Sequence, residues 1–251
     1  MTDREPYFPY RLEERSARPV LGLIVLQVDE TIEQDFRRLF SPENATLHFT
    51  RIPSGADLTP DTIAGMEHAL PMAAALLPPS LALDVIGYAC TSATTLLGPE
   101  RVKELVLEGA RARQVTNPFT AALASFEKLG AEQIAIVSPY IAEVSVPLAK
   151  AFGNSGVRVS ASLSFGERTE EKVARITPAS IGEAALEIGR RSDVQAVFLS
   201  CTNLRTLDVI DEIENALGKP VVSSNQALAW HMATLAGARL AADAPGMLIK
   251  A

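Results

Sequence analysis

The chain has 251 residues, a formal net charge of −7 and a hydrophobic fraction of 47%. This length suffices for one large α/β domain or two smaller lobes with a sizeable core. The acidic balance argues against a nucleic-acid partner, because no basic stripe is present to meet phosphates. No segment approaches the roughly 20 apolar residues of a membrane span, and the charged N-terminus lacks the apolar core of a signal peptide. We therefore expect no membrane partner and a cytoplasmic location.

The first half of the chain alternates strand and helix patterns. A charged arm at 1–19 is expected to pack on a neighbouring lobe or subunit. The continuous apolar run at 20–27 predicts a strand that is covered on both faces, and the apolar spacing after Thr31 predicts a helix. The elements predicted next are a strand at 45–52, a helix at 59–77 disturbed at Pro71, a strand at 81–88, a helix at 99–109, a strand at 112–115 and a helix at 118–129 closed by Gly130.

The second half restarts the same alternation. Strands that alternate with helices of about ten to fifteen residues predict parallel βαβ units. The predicted strands lie at 133–138, 157–165, 196–200 and 219–223, and the predicted helices at 142–152, 178–190, 204–217 and 226–235.

Features of the first half recur in the second at almost one offset. Cys90 and Cys201 are 111 residues apart, and two further pairs repeat at 112 and 108 residues, namely Val25 with Val137 and Asn117 with Asn225. The repeat predicts two similar α/β lobes with mostly parallel sheets, related by a pseudo-two-fold axis, with the site in the cleft between them. The first lobe is predicted at 20–117, with 226–251 returning to it, and the second at 118–225.

Each cysteine follows a predicted strand and precedes a predicted helix. Open parallel sheets bind ligands at the carboxyl ends of their strands, so the two thiols are expected to approach a small ligand from opposite sides. Backbone N–H groups at a helix start favour a thiolate and can bind a carboxylate or enolate oxygen. The alternative for either cysteine is a small buried hydrophobic residue. The candidate substrate-binding residues beside the thiols are Thr91, Ser92, Thr202 and Asn203.

These segments resemble the aspartate/glutamate racemase superfamily, and within it the maleate isomerase and arylmalonate decarboxylase branch. The resemblance rests on residues 22–25, 89–92, 137–140, 200–205 and 223–226. It implies chemistry without a cofactor, in which Cys90 is the nucleophile, Cys201 the acid/base partner and Tyr140 a ligand of the substrate carboxylate. The decarboxylases carry a glycine in the first loop, so the presence of Cys90 argues against decarboxylation. We expect no metal, because no Cys/His cluster with ligand spacing is present.

Asp29 departs from the isomerase pattern. Maleate isomerases carry Pro-Ser-Ser-Asn after the first strand, where this chain has Leu-Gln-Val-Asp at 26–29. An ionised Asp29 would repel a second substrate carboxylate. Racemases of the superfamily place an aspartate at this strand end, so Asp29 could instead pair with a substrate ammonium or amide N–H, tune a cysteine, or cap the helix after Thr31. Asn117 and Asn225 are likewise substrate-binding candidates or helix caps.

Three functions therefore stay open at the level of sequence. The first is a cofactor-free isomerase of a small carboxylate, similar to maleate isomerase. The second is a racemase or epimerase of an amino acid or its derivative, which would suit a relative of the ectoine-utilisation type. The third is a non-catalytic protein that binds a small anion in the cleft. The arm and the apolar helices favour a homodimer or homotetramer.

Overall fold

The computed structural model describes residues 7–14, 17–55 and 60–251. Within these segments no helix has the length and apolar character needed to span a bilayer. The first lobe holds a four-stranded sheet in the order β2-β1-β3-β4, with every neighbouring pair parallel. Its elements are β1 (Val20–Leu26), α1 (Ile32–Leu39), β2 (Thr46–Ile52), α2 (Pro60–Ala75), β3 (Leu83–Ala89), α3 (Thr91–Leu97), α4 (Pro99–Gly109) and β4 (Ala112–Thr116).

The second lobe repeats this sheet in the order β6-β5-β7-β8, again with parallel neighbours. The predicted α/β class, with two similar lobes of parallel strands, is therefore confirmed. The remaining elements are α5 (Pro118–Leu129), β5 (Gln133–Ser138), α6 (Ala142–Asn154), β6 (Arg158–Ser164), α7 (Glu170–Val173), α8 (Pro178–Gly189), β7 (Ala196–Leu199), α9 (Ile210–Leu217), β8 (Val221–Ser223), α10 (Ser224–Ala236) and α11 (Met247–Lys250).

Two helices cross between the lobes. α5 follows the first sheet, yet its Phe126 packs edge-on against Phe198 of β7, with ring centroids 5.9 Å apart. α10 follows the second sheet and packs on β3, where Met232 approaches Gly87 so closely that an added Cβ would lie 2.6 Å from its sulfur. α5 and α10 also pack against each other. The lobes are thus joined by an exchange of helices and share one hydrophobic core.

The structure corrects several element boundaries. The helix predicted at 204–217 begins only at Ile210, and residues 202–209 form turns. The turns bury three apolar side chains whose spacing in the sequence is similar to that of one face of a helix, namely Leu204, Leu207 and Val209. α2 continues through Pro71, whose carbonyl oxygen would lie 1.9 Å from a Cβ at Gly109, so the close contact of α2 with α4 requires glycine there.

Three short helices, α3, α7 and α11, were not predicted. They have four to seven residues each, too few for an apolar period to stand out. Parts of two predicted segments, 1–6 and 15–16 of the arm and Thr59 at the start of the 59–77 helix, lie outside the described residues. Among the described arm residues, Phe8, Tyr10 and Leu12 are highly exposed.

Candidate active site

Cys90 lies at the carboxyl end of β3 and forms the N-cap of α3. Its Sγ accepts the backbone N–H of Ala93 at 3.4 Å and lies 3.6 Å from the Ser92 hydroxyl. The Thr94 hydroxyl donates to the Cys90 carbonyl at 2.7 Å. The thiol is buried, with 2% of the residue exposed. A strand that passes directly into a helix therefore fixes Cys90 among neutral hydrogen-bond donors.

Cys201 occupies the corresponding end of the second sheet but in a different backbone setting. Its φ of 143° lies in a region that side chains other than glycine rarely adopt. The Cys201 N–H donates to the Ser224 hydroxyl at 3.1 Å, and its Sγ accepts the N–H of Asn203 at 3.4 Å. The prediction that Cys201 sits at a helix N-terminus is wrong, because turns follow it.

Hydroxyl groups tie the two cysteine loops together. Thr91 Oγ1 lies 3.0 Å from Ser224 Oγ, the same hydroxyl that accepts the Cys201 N–H. Thr202 Oγ1 donates to the carbonyl of Ala89, just before Cys90, at 3.4 Å. The predicted residues Thr91 and Thr202 thus lie beside both thiols and join the lobes. Sequence reasoning did not single out Ser224, although it lies in the 223–226 segment that carried the family resemblance.

Tyr140 follows β5 and is buried, with 1% of the residue exposed. The pKa of its phenol is raised well above its usual range, first by burial and then by the negative charges that Cys201 and Cys90 carry when ionised. Because both thiols act on it, Tyr140 lies near both. The structure therefore brings this predicted residue together with the two cysteines.

Asp29 binds backbone N–H groups at the start of α1 with one carboxylate oxygen and leaves the other without a hydrogen-bond partner. Its Oδ1 accepts the N–H groups of Thr31 at 2.8 Å and of Ile32 at 2.9 Å, at the start of α1. Its Oδ2 is buried and has no hydrogen-bond partner. Burial raises the pKa of Asp29, opposed by the Ile32 N–H, the nearby Thr202 hydroxyl and other groups. The N-cap of α1 is Thr31, so the interpretation of Asp29 as the N-cap is wrong, although its Oδ1 binds the N–H groups at the start of this helix.

Asn203 bridges the lobes with both ends of its side chain. Its Oδ1 accepts the N–H of Glu30 at 2.9 Å, and its Nδ2 donates to the Glu170 carboxylate at 2.7 Å. Its backbone carbonyl accepts the Thr31 hydroxyl at 2.9 Å. The predicted substrate-binding amide is therefore occupied by protein groups and holds the Cys201 loop against the first lobe.

Glu170 is a second site residue that sequence reasoning missed. It lies in α7 within a run of charged residues typical of a solvated surface, yet only 3% of it is exposed. Burial raises the pKa of Glu170 to about 7, opposed by the hydrogen bond from Asn203 and assisted by the charge of Asp29. Only its burial distinguishes Glu170 from its exposed neighbours, so the sequence carried no signal for it.

The two mirrored asparagines are not equivalent. Asn117 is the N-cap of α5, and its Oδ1 accepts the N–H of Thr120 at 2.8 Å. Asn225 lies inside α10, and its Nδ2 donates to Asp35 at 2.7 Å and to the carbonyl of Thr202 at 2.8 Å. Burial raises the pKa of Asp35 to about 7, and the bond from Asn225 opposes this shift. Asn225 therefore braces the Cys201 loop, whereas Asn117 caps a helix.

Both thiols are held in their protonated form. Burial raises the pKa of Cys90 to about 11, opposed by Ser92 and the Ala93 N–H. Burial, followed by the charge of Glu170, raises the pKa of Cys201 well above its usual range. The expectation that helix-start N–H groups yield thiolates is therefore wrong for this closed site, because desolvation outweighs those hydrogen bonds. Among the described residues, no three His, Cys, Asp or Glu side chains form a metal-binding group.

Two curated relatives share part of their length with this chain. The chain is 33% identical to an arylmalonate decarboxylase of Bordetella bronchiseptica over 123 residues, 49% of this chain and 51% of that protein. It is 26% identical to a maleate isomerase of Geobacillus stearothermophilus over 148 residues, 56% of this chain and 59% of that protein. The chain thus matches between half and three fifths of the length of these relatives.

Solved structures match over nearly the whole chain. A mutant arylmalonate decarboxylase in the liganded form is 26% identical with a TM-score of 0.79, covering 92% of this chain and 98% of that one. A Nocardia farcinica maleate cis-trans isomerase with a covalently bound succinylcysteine intermediate is 21% identical with a TM-score of 0.79, covering 93% and 98%, and this match shows the fold. The sequence model of the arylmalonate decarboxylase family matches residues 59–249. The predicted branch of the superfamily is therefore confirmed, and the chain belongs to the arylmalonate decarboxylase family.

Proposed function

We propose that this protein is a cofactor-independent isomerase that acts on a small carboxylate through Cys90 and Cys201. The observation that carries the proposal is that two thiols from equivalent strand ends lie in one buried site, with Tyr140 near both. Further support comes from relatives named as maleate isomerases and from the succinylcysteine intermediate bound in one of them. Cys90 stands where the decarboxylases have glycine, so we favour isomerisation over decarboxylation.

The arrangement suits addition, rotation and elimination. The Cys90 thiol first loses its proton to water, and the resulting thiolate adds to one alkene carbon. The π electron pair moves to the other carbon, which takes the proton of the Cys201 thiol. The new C–C single bond rotates. The Cys201 thiolate then removes the other hydrogen of the carbon that it protonated, the double bond re-forms, and the C–S bond breaks to return the Cys90 thiolate. Tyr140 and the backbone N–H groups of residues 91, 92 and 202 would hold the substrate carboxylate and its charge.

Racemisation or epimerisation of an amino acid or its derivative is the second candidate, and the acidity of the site favours it. Asp29 leaves a buried oxygen without a partner, and its charge acts on Glu170 and on both cysteines. A dicarboxylate would add negative charge beside these groups. A substrate ammonium or amide N–H beside Asp29 would instead offset that charge and make a thiolate easier to form. The same acidity disfavours a non-catalytic anion receptor.

An NMR screen in D2O tests the proposal and separates the candidates. The panel comprises maleate, aspartate, glutamate, hydantoins and acyl-diamino acids, each incubated with the unmutated protein and with the Cys90→Ser and Cys201→Ser variants. Racemisation must introduce deuterium at Cα, whereas cis-trans isomerisation is recorded as conversion of maleate to fumarate. Binding of a panel compound without turnover, unchanged in both serine variants, would contradict an enzymatic role. The cytoplasmic location and the homodimer or homotetramer remain predictions.

A further inference from the structure

A continuous contact chain joins Glu170 to the Cys201 sulfur. The Glu170 carboxylate accepts Asn203 Nδ2 at 2.7 Å, and its backbone carbonyl accepts the same group at 3.1 Å. The backbone N–H of Asn203 donates to Cys201 Sγ at 3.4 Å. One residue therefore bonds at the same time to a buried carboxylate and to a thiol, and its position depends on both.

Cys90 has no such carboxylate in its immediate surroundings. The described hydrogen-bond partners of its sulfur are the Ser92 hydroxyl and the Ala93 N–H, which are both neutral. The two cysteines thus occupy equivalent strand ends but differ in one respect. Among the residues that the structure describes, only Cys201 is connected to a buried acid through a single intervening residue.

We propose that the charge of Glu170, which Asn203 holds beside the Cys201 loop, keeps Cys201 in its thiol form, so that Cys201 is the proton donor and Cys90 the thiolate that reacts first. The physical reason is repulsion between like charges in a desolvated site, where an ionised Glu170 opposes a second negative charge on the Cys201 sulfur. The inference rests on the proposed function only in taking the two cysteines as the reacting groups.

Other groups near the Cys201 sulfur do not give this selectivity. The charge of Asp29, from the loop after β1, acts on both cysteines. Tyr140, after β5, is also near both thiols, and the cation Arg51 of β2 bonds the Asp29 carbonyl at 3.0 Å. At Cys201 the charge of Glu170 raises the thiol pKa by more than either hydrogen bond to the sulfur lowers it, whereas at Cys90 the hydrogen bonds from Ser92 and Ala93 each have a larger effect than that charge. Glu170 therefore distinguishes the two sites.

Alkylation by iodoacetamide, followed by mass spectrometry, tests the inference without any substrate. Cys201 is measured in a Cys90→Ser background, with and without Glu170→Gln, because glutamine keeps an oxygen to accept Asn203 and removes only the charge. Each unit by which the pKa of Cys201 falls raises its thiolate fraction about tenfold. Because a thiolate of lower pKa is also a weaker nucleophile, the alkylation rate rises by only about three- to fourfold. We expect that gain at pH about 8.5, where Glu170 is ionised, and no gain at pH about 5, where it is already neutral.

Two controls give the result its meaning. Cys90, measured in a Cys201→Ser background, should respond less to Glu170→Gln than Cys201 does. Asp35→Asn should leave Cys201 alkylation unchanged, because Asp35 is also buried with a pKa of about 7 but bonds Asn225 instead of Asn203. Equal acceleration at both pH values, or of both cysteines, would mean that the substitution opens the site, and would overturn the inference.

A second measurement needs no substitution at Glu170. In the Cys90→Ser protein the logarithm of the Cys201 alkylation rate should rise with pH and bend to a lower slope near pH 7, as Glu170 ionises. A straight profile through that range would overturn the inference even if Glu170→Gln does not fold. Because alkylation does not depend on turnover, a failure of the proposed function would leave these readouts intact.

Discussion

The two cysteine sites show how far a repeated scaffold repeats its chemistry. β3 and β7 occupy equivalent positions in sheets of the same order. After β3 the chain enters a helix at once, and Cys90 caps it, whereas after β7 it enters turns, and Cys201 adopts a φ of 143°. The charge of Glu170 acts on both thiols, but only at Cys201 does it outweigh each hydrogen bond to the sulfur. The strands of the two lobes are equivalent, whereas the loops that follow them differ. The two thiols of one site therefore have different electrostatic surroundings.

The largest expected effect comes from replacing each thiol in turn. With a substrate found in the screen, Cys90→Ser should lower kcat at least about 10³-fold. A serine hydroxyl ionises far less readily than a thiol and is therefore a much poorer nucleophile for addition to the alkene. Cys201→Ser should lower kcat by about 10²- to 10⁴-fold, the usual range for a lost acid/base group. Steady-state assays of both variants check this. If kcat fell equally in both variants, and Cys90 of the Cys201→Ser variant still reacted with iodoacetamide, the assignment of Cys90 as nucleophile and Cys201 as proton donor would be contradicted.

The cores beneath the two sites provide the next comparison. Phe198, three residues before Cys201, packs on Phe126 and Phe152, whereas its counterpart before Cys90 is Gly87. Phe198→Ala should lower the free energy of unfolding by about 3–5 kcal/mol, because it leaves a cavity in a fully buried aromatic cluster. Urea denaturation measures the loss. Phe198→Leu serves as the control, because leucine fills more of the cavity and should lower the free energy of unfolding by less. A smaller loss for Phe198→Ala than for Phe198→Leu would contradict the packing role of Phe198.

The burial of Asp35 gives stability a pH dependence. The pKa of Asp35 is raised to about 7 in the fold, so the folded state binds more protons than the unfolded state between the two pKa values. Its contribution is fully present below the ordinary aspartate pKa and is lost as pH rises through about 7, on the order of 1.4 kcal/mol for each pKa unit. Unfolding free energies should therefore fall as pH rises from about 4 to about 7.

Substitution of Asp35 sharpens this test. Asp35→Asn should flatten the pH profile, since asparagine does not titrate and still offers an oxygen to Asn225. The exposed Glu127 of α5 provides the control, because it is not among the charges that act on Asp35, and Glu127→Gln should leave the slope unchanged. A wild-type slope that survives Asp35→Asn in full would assign the pH dependence to other buried acids.

The smallest expected effect separates the two asparagines. Asn117→Ala removes a cap and should cost about 1 kcal/mol of unfolding free energy, most of which Asn117→Ser should recover. Asn225→Ala should cost more, about 1–3 kcal/mol, because it leaves Asp35 and a buried carbonyl without their donor. Thermal or urea unfolding of the three variants checks the order. A serine variant as unstable as the alanine variant would contradict the capping role of Asn117.

Much of the fold was predictable because its signals are local. The apolar runs, the α5 segment with its proline start and Gly130 stop, and the spacing of the cysteines all follow from residues near each other in sequence. The start of α9 was not predictable, since Leu204 and Leu207 are buried for tertiary reasons and imitate a helix. Periodicity records which side chains are buried, and turns as well as helices can bury them.

The site divides in the same way. Cys90, Cys201 and Tyr140 came from motifs, and the structure places them together. Glu170, Ser224 and the partner-free oxygen of Asp29 depend on contacts between distant segments. A glutamate that ends up buried looks the same in sequence as one on the surface. The thiol pKa values were misjudged for a related reason, because the cost of desolvation depends on the whole surrounding fold.

The backbone of Cys201 places conflicting demands on the sequence. At a φ of 143° glycine is unstrained, whereas any other residue carries backbone strain on the order of 1–3 kcal/mol. Cys201→Gly is therefore expected to fold more stably than Cys201→Ala, although both lack the thiol. A screen for thermostability alone would drive this position towards glycine and remove the thiol that we propose as the proton donor. The cysteine is thus a residue that selection for stability and selection for chemistry would choose differently.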